Sequence, residues 1–148
     1  MNGPAEVSGP AGEVTLPITG GCNCGAVRFE VTQPFQGATY CHCTRCQRRT
    51  GTGASANART APEAFRITQG EDRIRSWEPP DGAAKFFCGD CGSALFSRSP
   101  DTVGIRLGAL DGDPGVRPAY RQYVAYAAAW EPIPDDGLPR YPEARPSS

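Results

Sequence analysis

The chain has 148 residues and a formal net charge of −1. A near-neutral balance gives no bulk electrostatic reason to expect nucleic acid or an anionic membrane as a partner. The 18 glycines and 15 prolines favour short strands joined by turns over long helices. We therefore expect one small, mainly β domain.

The predicted elements begin after a flexible N-terminal tail at residues 1–12, which is polar and rich in Gly and Pro. The folded domain is predicted over residues 13–142, and residues 143–148 are expected to fray. The clearest strand is 27–31, because Val27, Phe29 and Val31 alternate with polar residues. Further strands are predicted at residues 14–19, 38–41, 53–57, 65–68, 73–77, 85–87, 94–97, 103–107 and 120–125.

One short helical turn is predicted at residues 44–49, ending at Gly51, with backbone amides that point at a thiolate. Residues 130–148 contain five prolines and are interpreted as an extended segment lying over the domain. The first residues lack a basic region followed by an apolar core, and no apolar run is long enough to cross a bilayer. We expect a cytoplasmic protein without membrane contact, in which clustered cysteines are more often metal ligands or redox groups than disulfides.

The seven cysteines lie in three clusters. They are Cys22 and Cys24; Cys41, Cys43 and Cys46; and Cys88 and Cys91. Zinc takes four ligands tetrahedrally, and thiolates two or three residues apart can bind one ion when the backbone turns tightly between them. The best division is four plus three, which predicts two zinc ions. In the competing division the central cluster borrows a ligand from an outer pair, which strands one cysteine.

The two predicted sites differ in what they can do. A site of Cys22, Cys24, Cys88 and Cys91 is closed and contributes folding energy, whereas a three-cysteine site leaves a fourth position for water or a thiol. Buried apolar cysteines are the alternative for any single cluster. A redox role for the pair at residues 88–91 is disfavoured because the flanking residues look like strands rather than the start of a helix.

Other residues near the central cluster are weaker candidates. His42 lies between two proposed ligands, and it is either a proton shuttle or, as we favour, a supporting or surface residue. Arg45, Arg48 and Arg49 could bind carboxylates of an anionic substrate or could form a solvated basic turn. Tyr126 and Trp130 could cover the site, although ordinary core packing is the favoured expectation.

Three motifs, GGCNCGAVRFEV, YCHCTRCQRRTG and FFCGDCGSALF, occur in this order. Together they resemble the glutathione-dependent formaldehyde-activating enzymes, a family that also contains centromere protein V. The ending AAAWEPIPDDGLPRY is similar to that family's terminal segment, so the resemblance covers residues 19–141. It implies a small β-tent zinc fold of short antiparallel sheets with zinc knuckles. By resemblance, the four outer cysteines hold a structural zinc and the central three hold a catalytic zinc.

The family's reaction joins glutathione and formaldehyde to S-(hydroxymethyl)glutathione, formally a carbon-sulfur lyase run in reverse. The resemblance therefore implies a zinc-dependent enzyme acting on the adduct of a small thiol such as glutathione, with no nucleic-acid partner. The alternative is a non-catalytic, zinc-stabilised binding module that holds its ligand on an exposed sheet face through Trp77, Tyr126 or Trp130.

Overall fold

Ten β-strands and one α-helix form within residues 14–146, the part of the chain that the computed structural model describes. The predicted tail at residues 1–12 and the last two residues lie outside this range. The elements are β1 Ile18–Gly21, β2 Arg28–Val31, β3 Gly37–Cys41, α1 Thr44–Thr50, β4 Ser55–Thr60, β5 Phe65–Gln69, β6 Ile74–Trp77, β7 Ala84–Cys88, β8 Ala94–Arg98, β9 Val103–Arg106 and β10 Pro118–Gln122.

The strands form two sheets. A three-stranded antiparallel sheet has the order β1-β2-β5, and a seven-stranded sheet has the order β10-β3-β4-β9-β8-β7-β6. Neighbours in the larger sheet are antiparallel except β10 and β3, which run parallel. The mainly β fold of short antiparallel strands is thus confirmed. The parallel pair was not predicted, since it joins strands about 80 residues apart that share no local pattern.

The hydrophobic core lies between the two sheets. Val27, Phe29 and Val31 are all buried, as their alternation predicts. In the small sheet the Phe29 and Phe65 ring centroids are 5.5 Å apart, and the Phe65 centroid is 4.7 Å from that of Phe96 in the large sheet. Burial of these apolar side chains is the main favourable term that holds the sheets together.

Several strand bounds differ from prediction because of local backbone chemistry. The first strand begins at Ile18, directly after Pro17, which has no N–H for a ladder. The strand predicted at 53–57 is Ser55–Thr60. The strand predicted at 120–125 ends at Gln122, because Tyr123 takes a left-handed conformation with φ 58° and leads into a 3₁₀ turn. Likewise β9 ends at Arg106, and a 3₁₀ turn begins at Leu107.

Helix α1 forms where the sequence predicts a turn. Cys43 is its N-cap residue, and Gly51 closes it with φ 71° and an N–H donated to the Gln47 carbonyl. Glycine suits that left-handed C-terminal position because it has no Cβ. The helix therefore begins and ends within ten residues of the central cysteine cluster.

The C-terminal segment is extended and lies along β10. The Arg121 N–H donates to the Pro139 carbonyl, and the Tyr141 N–H donates to the Arg121 carbonyl, each at 2.9 Å. The segment from 143 to 146, expected to fray, contributes the Glu143 carbonyl as acceptor for Tyr123 and the Arg145 guanidinium over the Tyr120 ring. Among the residues described, no helix is long and apolar enough to span a bilayer.

The expected core packing of Tyr126 and Trp130 is wrong. Their exposed fractions are 50% and 68%, and Trp77 is 46% exposed. Tyr126 and Trp130 lie beyond the last strand, where the chain no longer crosses the core. An amphipathic aromatic ring tolerates such a position because its polar end stays in contact with water.

The core itself gives a first test of the fold. Leu95 on β8 is fully buried, so Leu95→Ala should lower the free energy of unfolding by about 3 kcal/mol through lost burial and the cavity left behind. Urea unfolding followed by circular dichroism measures this change. Leu16→Ala removes the same atoms from an exposed position and should cost under about 1 kcal/mol. Equal losses for the two variants would contradict the described core.

Candidate metal centres

The outer cysteines meet at the tips of two hairpins from different sheets. Cys22 and Cys24 lie in the turn between β1 and β2, while Cys88 ends β7 and Cys91 lies in the turn that leads to β8. Their four Sγ atoms all lie within 4.8 Å of one another. We call this group the closed cluster. It connects the two sheets at one end of the core.

The spacing of the closed cluster suits a tetrahedral metal ion. Cys22 Sγ lies 3.6 Å from Cys24 Sγ, which lies 3.9 Å from Cys88 Sγ. Zinc–sulfur bonds of about 2.3 Å give a tetrahedron with edges of about 3.8 Å, whereas a disulfide needs about 2.05 Å. All seven cysteines are free thiols. The donor set of this cluster therefore fits zinc.

Local backbone geometry holds the closed cluster in place. Gly25 and Gly92 have φ values of 82° and 80°, a conformation that glycine adopts without strain and that each tight turn requires. The Val27 N–H donates to Cys22 Sγ at 3.2 Å. The Asn23 N–H donates to the Ser93 hydroxyl at 3.0 Å, so a hydrogen bond ties one hairpin tip to the other. The two turns thus present their thiols in a fixed arrangement.

The thiols of the closed cluster cannot all ionise easily without a cation. Hydrogen bonds from the Ser93 hydroxyl and backbone N–H lower the pKa of Cys91 to about 5. The hydrogen bond with the Ala26 backbone lowers the pKa of Cys24. The hydrogen bond shared with Cys22, desolvation, and the hydrogen bonds with Cys91 and Cys88 together outweigh it and raise the pKa to about 12. A divalent cation removes the repulsion between neighbouring thiolates. The electrostatics therefore agree with the geometry.

The remaining three cysteines form a second group, which we call the open trio. Cys41 ends β3, Cys43 is the N-cap of α1 and Cys46 lies in the first turn of α1. Their Sγ atoms also lie within 4.8 Å of one another. Cys43 Sγ accepts a hydrogen bond from the Cys46 N–H at 3.3 Å. The helix start thus positions two of the three thiols directly.

A single negative charge is favoured in the open trio when no cation is present. Hydrogen bonds from Cys41 and Cys43 lower the pKa of Cys46 to about 2. The hydrogen bonds with Cys43 and Cys46 raise the pKa of Cys41. One thiolate is therefore stabilised by two neighbouring thiols, and ionisation of all three needs a bound cation.

The open trio faces a cavity of about 560 Å³, which all three of its cysteines line. Of the closed cluster, Cys22 lines another cavity of about 660 Å³. Besides the three cysteines, the lining of the trio's cavity includes the cationic side chains Arg45, Arg59, Lys85 and Arg106. Three thiolates would supply three ligands and leave a fourth position. The cavity is large enough for a small organic molecule to reach that position.

Two arginines beside the open trio have buried N–H groups with no hydrogen-bond partner in the described residues. They are Arg106 Nε and Arg49 Nε and Nη2. Arg106 is only 8% exposed, and its Nη1 donates to Asn57 Oδ1. Burial lowers the pKa of Arg106, and the three cysteine thiolates oppose that shift. Buried guanidinium groups placed here offset the negative charge of thiolates.

The predicted arginines separate in the structure. Arg45 lines the cavity of the open trio, but its Nη2 is bound to Asp81 at 2.7 Å and its guanidinium lies over Trp77. Arg48 is exposed and lines a different hollow beside Trp77. Arg49 is partly buried and lies close enough to Arg106 for the two charges to repel. Of these three, Arg45 is the one in the cavity wall.

Sequence reasoning missed Arg59, Lys85 and Arg106. Each lies on a strand, and Lys85 is only three residues before Cys88. No local signal singled them out, because charged residues beside apolar ones, as in VGIR and AKFF, are ordinary in a half-buried strand. Burial and repulsion from Arg106 lower the pKa of Lys85.

His42 lies away from the open cavity. It is buried, and its Nε2 lies 3.1 Å from Arg121 Nη1, which in turn belongs to an ion pair with Asp136. Since a guanidinium can only donate, Nε2 accepts and the imidazole is neutral. Burial, followed by the charge of Arg121, lowers its pKa. His42 lines a separate cavity with Arg121 and Glu131, so its place agrees with a supporting residue; a proton-shuttle role stays a prediction.

Comparisons with known proteins point in one direction. The family described as glutathione-dependent formaldehyde-activating enzyme matches residues 17–126. A Halomonas elongata protein, whose own assignment as a glutathione-dependent formaldehyde-activating enzyme is provisional, is 30% identical over 105 residues, which is 65% of this chain and 67% of the relative. A crystal structure of a Rhodobacter sphaeroides protein superposes with a TM-score of 0.56 at 23% identity, covering 83% of this chain and 98% of that one. This last similarity concerns the fold alone.

Proposed function

Because the chain belongs to the glutathione-dependent formaldehyde-activating enzyme family, we propose that it is a zinc-dependent enzyme that joins a small thiol, such as glutathione, to formaldehyde. The observation that carries this proposal is the open trio at the wall of a 560 Å³ cavity. A three-thiolate set with an accessible fourth position is the arrangement that an incoming thiol requires.

The proposal includes two zinc ions with different roles. Cys22, Cys24, Cys88 and Cys91 would hold a structural ion, and the open trio would hold a second, exchangeable one. The donor chemistry supports zinc, since clusters of four or three thiolates at tetrahedral spacing suit zinc better than a hard cation. Free thiols in such number also suit a reducing compartment, and we place the protein in the cytoplasm on that ground.

The reaction balances without an oxidant or reductant. The thiol sulfur supplies the electron pair of the new carbon–sulfur bond, and the π pair of the formaldehyde carbonyl moves to oxygen. The thiol proton ends on that oxygen, which gives the hydroxymethyl thioether. When bound, zinc would favour the thiolate form of the incoming thiol at neutral pH.

The chain's own residues would contribute charge balance. Arg106 and Arg49, whose buried N–H groups lie beside the trio, offset the added negative charge of a fourth thiolate. Cationic N–H groups on the cavity wall also stabilise the carbonyl oxygen as it gains charge. Formaldehyde adds to thiols unaided, so the rate advantage expected from this site is modest.

Metal analysis together with adduct kinetics tests the proposal. Elemental analysis of the purified protein should give about two zinc ions per chain, and added glutathione should make one of them easier to remove by a chelator. NMR should detect S-(hydroxymethyl)glutathione forming faster than in buffer alone. One zinc or fewer per chain, in protein never exposed to a chelator, would contradict the two-site assignment.

A second candidate function is a zinc-stabilised binding module without chemistry. The exposed rings of Trp77, Tyr126 and Trp130 favour it, because exposed aromatics commonly mark recognition surfaces. Two tightly held zinc ions with no acceleration of adduct formation would support this candidate against the enzyme.

A further inference from the structure

The cavity of the open trio has an excess of positive charge in its wall. Its lining contains one acidic residue, Asp81, which is already bound to Arg45. Within the described residues, no salt bridge involves Arg59, Lys85 or Arg106. A partly buried cation without a carboxylate partner lowers the stability of the fold, unless a bound anion supplies the missing negative charge.

The positive charge of Arg106 is already balanced by the cysteines of the open trio. It is more than nine-tenths buried and interacts with the charges of Cys46, Cys41 and Cys43. Its Nε has no hydrogen-bond partner in the described residues. The negative charges of the open trio, rather than a carboxylate, therefore balance the charge of Arg106. Arg59 and Lys85 are left without a comparable anion.

Strand register places Arg59 and Lys85 in one row across the large sheet. Arg59 pairs with Gly104, Gly104 pairs with Ser97, and Ser97 pairs with Lys85. Directly paired residues share a face of the sheet. The two cationic residues therefore flank two small residues, which makes a shallow trough about 14 Å wide at about 4.8 Å per strand.

This row lies on the face of the sheet that is turned away from the core. Ile105 and Phe96, the neighbours of Gly104 and Ser97 along their strands, are buried on the core side. Successive side chains of a strand point to opposite faces. The Arg59 guanidinium lies over Gly37 of β3, where a Cβ atom would come within 2.7 Å of Nη2. It is therefore at the edge of the trough, on the side of β4 away from Gly104, although it lines the same cavity as Lys85.

The same face carries the thiols at its other end. Cys41 pairs with Ser55, and Ser55 precedes Arg59 by four residues along β4. At about 3.4 Å per residue the two rows are roughly 14 Å apart, a gap that Arg and Lys side chains can shorten by several ångströms. A carboxylate held at the trough would therefore lie several bonds from a sulfur held at the trio.

From this layout we infer that the positive charges of Arg59 and Lys85, on opposite sides of the cavity, attract the carboxylate of the thiol substrate and make the protein selective for thiols that carry a carboxylate several bonds from sulfur. The inference rests on the proposed function, since it requires a thiol at the open trio. Charge-assisted hydrogen bonds from guanidinium and ammonium groups to a carboxylate supply the selectivity.

Calorimetric titration of the zinc-loaded protein with two thiols of equal length tests the inference. The probes are 6-mercaptohexanoate and 6-mercaptohexanol, which differ in the group at the far end. The carboxylate should bind about tenfold or more tightly than the alcohol, the effect of one or two charge-assisted hydrogen bonds. Arg59→Gln and Lys85→Met should each reduce this ratio, and the double variant should bring it to about one.

The controls separate the possible failures. Arg98→Gln, which changes an exposed arginine on β8 outside the trough, should leave the ratio unchanged. Unaltered binding of 6-mercaptohexanol to the Arg59 and Lys85 variants shows that they remain folded. Equal binding of both thiols to the unmodified protein would overturn this inference while leaving the proposed function standing. Binding of neither thiol would overturn both.

Discussion

Replacing Cys88 with serine should abolish the cooperative thermal unfolding of the chain, or lower its free energy of unfolding by at least about 5 kcal/mol, a large share of the stability of a domain this size. Cys88 is fully buried at the end of β7. Its thiol belongs to the cluster that connects the two hairpin tips across 64 residues of sequence from Cys24. Loss of one ligand weakens that connection and leaves a polar hydroxyl buried in its place.

Differential scanning calorimetry and elemental analysis of the same sample measure this effect. Zinc content should fall with stability, because binding of a structural ion is coupled to folding. Ser93→Ala is the matched control, because it removes a hydroxyl that contacts the cluster and leaves all four thiols in place. It should lower the free energy of unfolding by only about 1 kcal/mol. A Cys88→Ser protein that unfolds like the parent and still holds two zinc ions would refute the structural role.

Replacing Cys43 with serine should remove activity and leave the chain folded. Activity in adduct formation should fall to the uncatalysed rate, and zinc content should fall from about two ions to about one. The fold should persist, because Cys43 is the N-cap of α1 and its sulfur accepts the Cys46 N–H. Serine is among the best N-cap residues and accepts that same hydrogen bond, so the substitution removes a metal ligand without removing the cap.

Circular dichroism and the NMR assay of adduct formation check this expectation together. The midpoint of unfolding should stay within about 5 °C of the parent, equivalent to roughly 1–2 kcal/mol for a chain of this length. Thr50→Ala, a change at the far end of the same helix, controls for damage to α1 and should keep both zinc ions. If Cys43→Ser unfolds the chain while Cys88→Ser does not, the two clusters have exchanged roles.

The sequence was informative wherever the chemistry is local. Alternation in β2 predicts its buried face correctly, and Gly51 correctly marks the end of α1. Spacing also groups the cysteines into the closed cluster and the open trio as the structure does. These features depend on residues within one turn or strand, or on ligand types that have few alternatives.

The cavity wall could not be predicted in the same way. Arg59, Lys85 and Arg106 come from β4, β7 and β9, and they share a face only because of the strand order and register of the large sheet. Register is set by long-range pairing that no short motif encodes. The exposure of Trp130 was missed for a related reason, since the path of the chain after β10 depends on where the sheet ends.

The path of the C-terminal segment also affects how the protein behaves among other copies of itself. Strand β10 is at one edge of the seven-stranded sheet, and its outward hydrogen bonds at Arg121 go to Pro139 and Tyr141. An uncovered strand edge is a template for pairing with another chain and hence for aggregation. The proline-rich segment occupies those donors and acceptors, so another strand cannot pair with this edge of the sheet. Its prolines strengthen the effect, because each one lacks the N–H that an added strand would need.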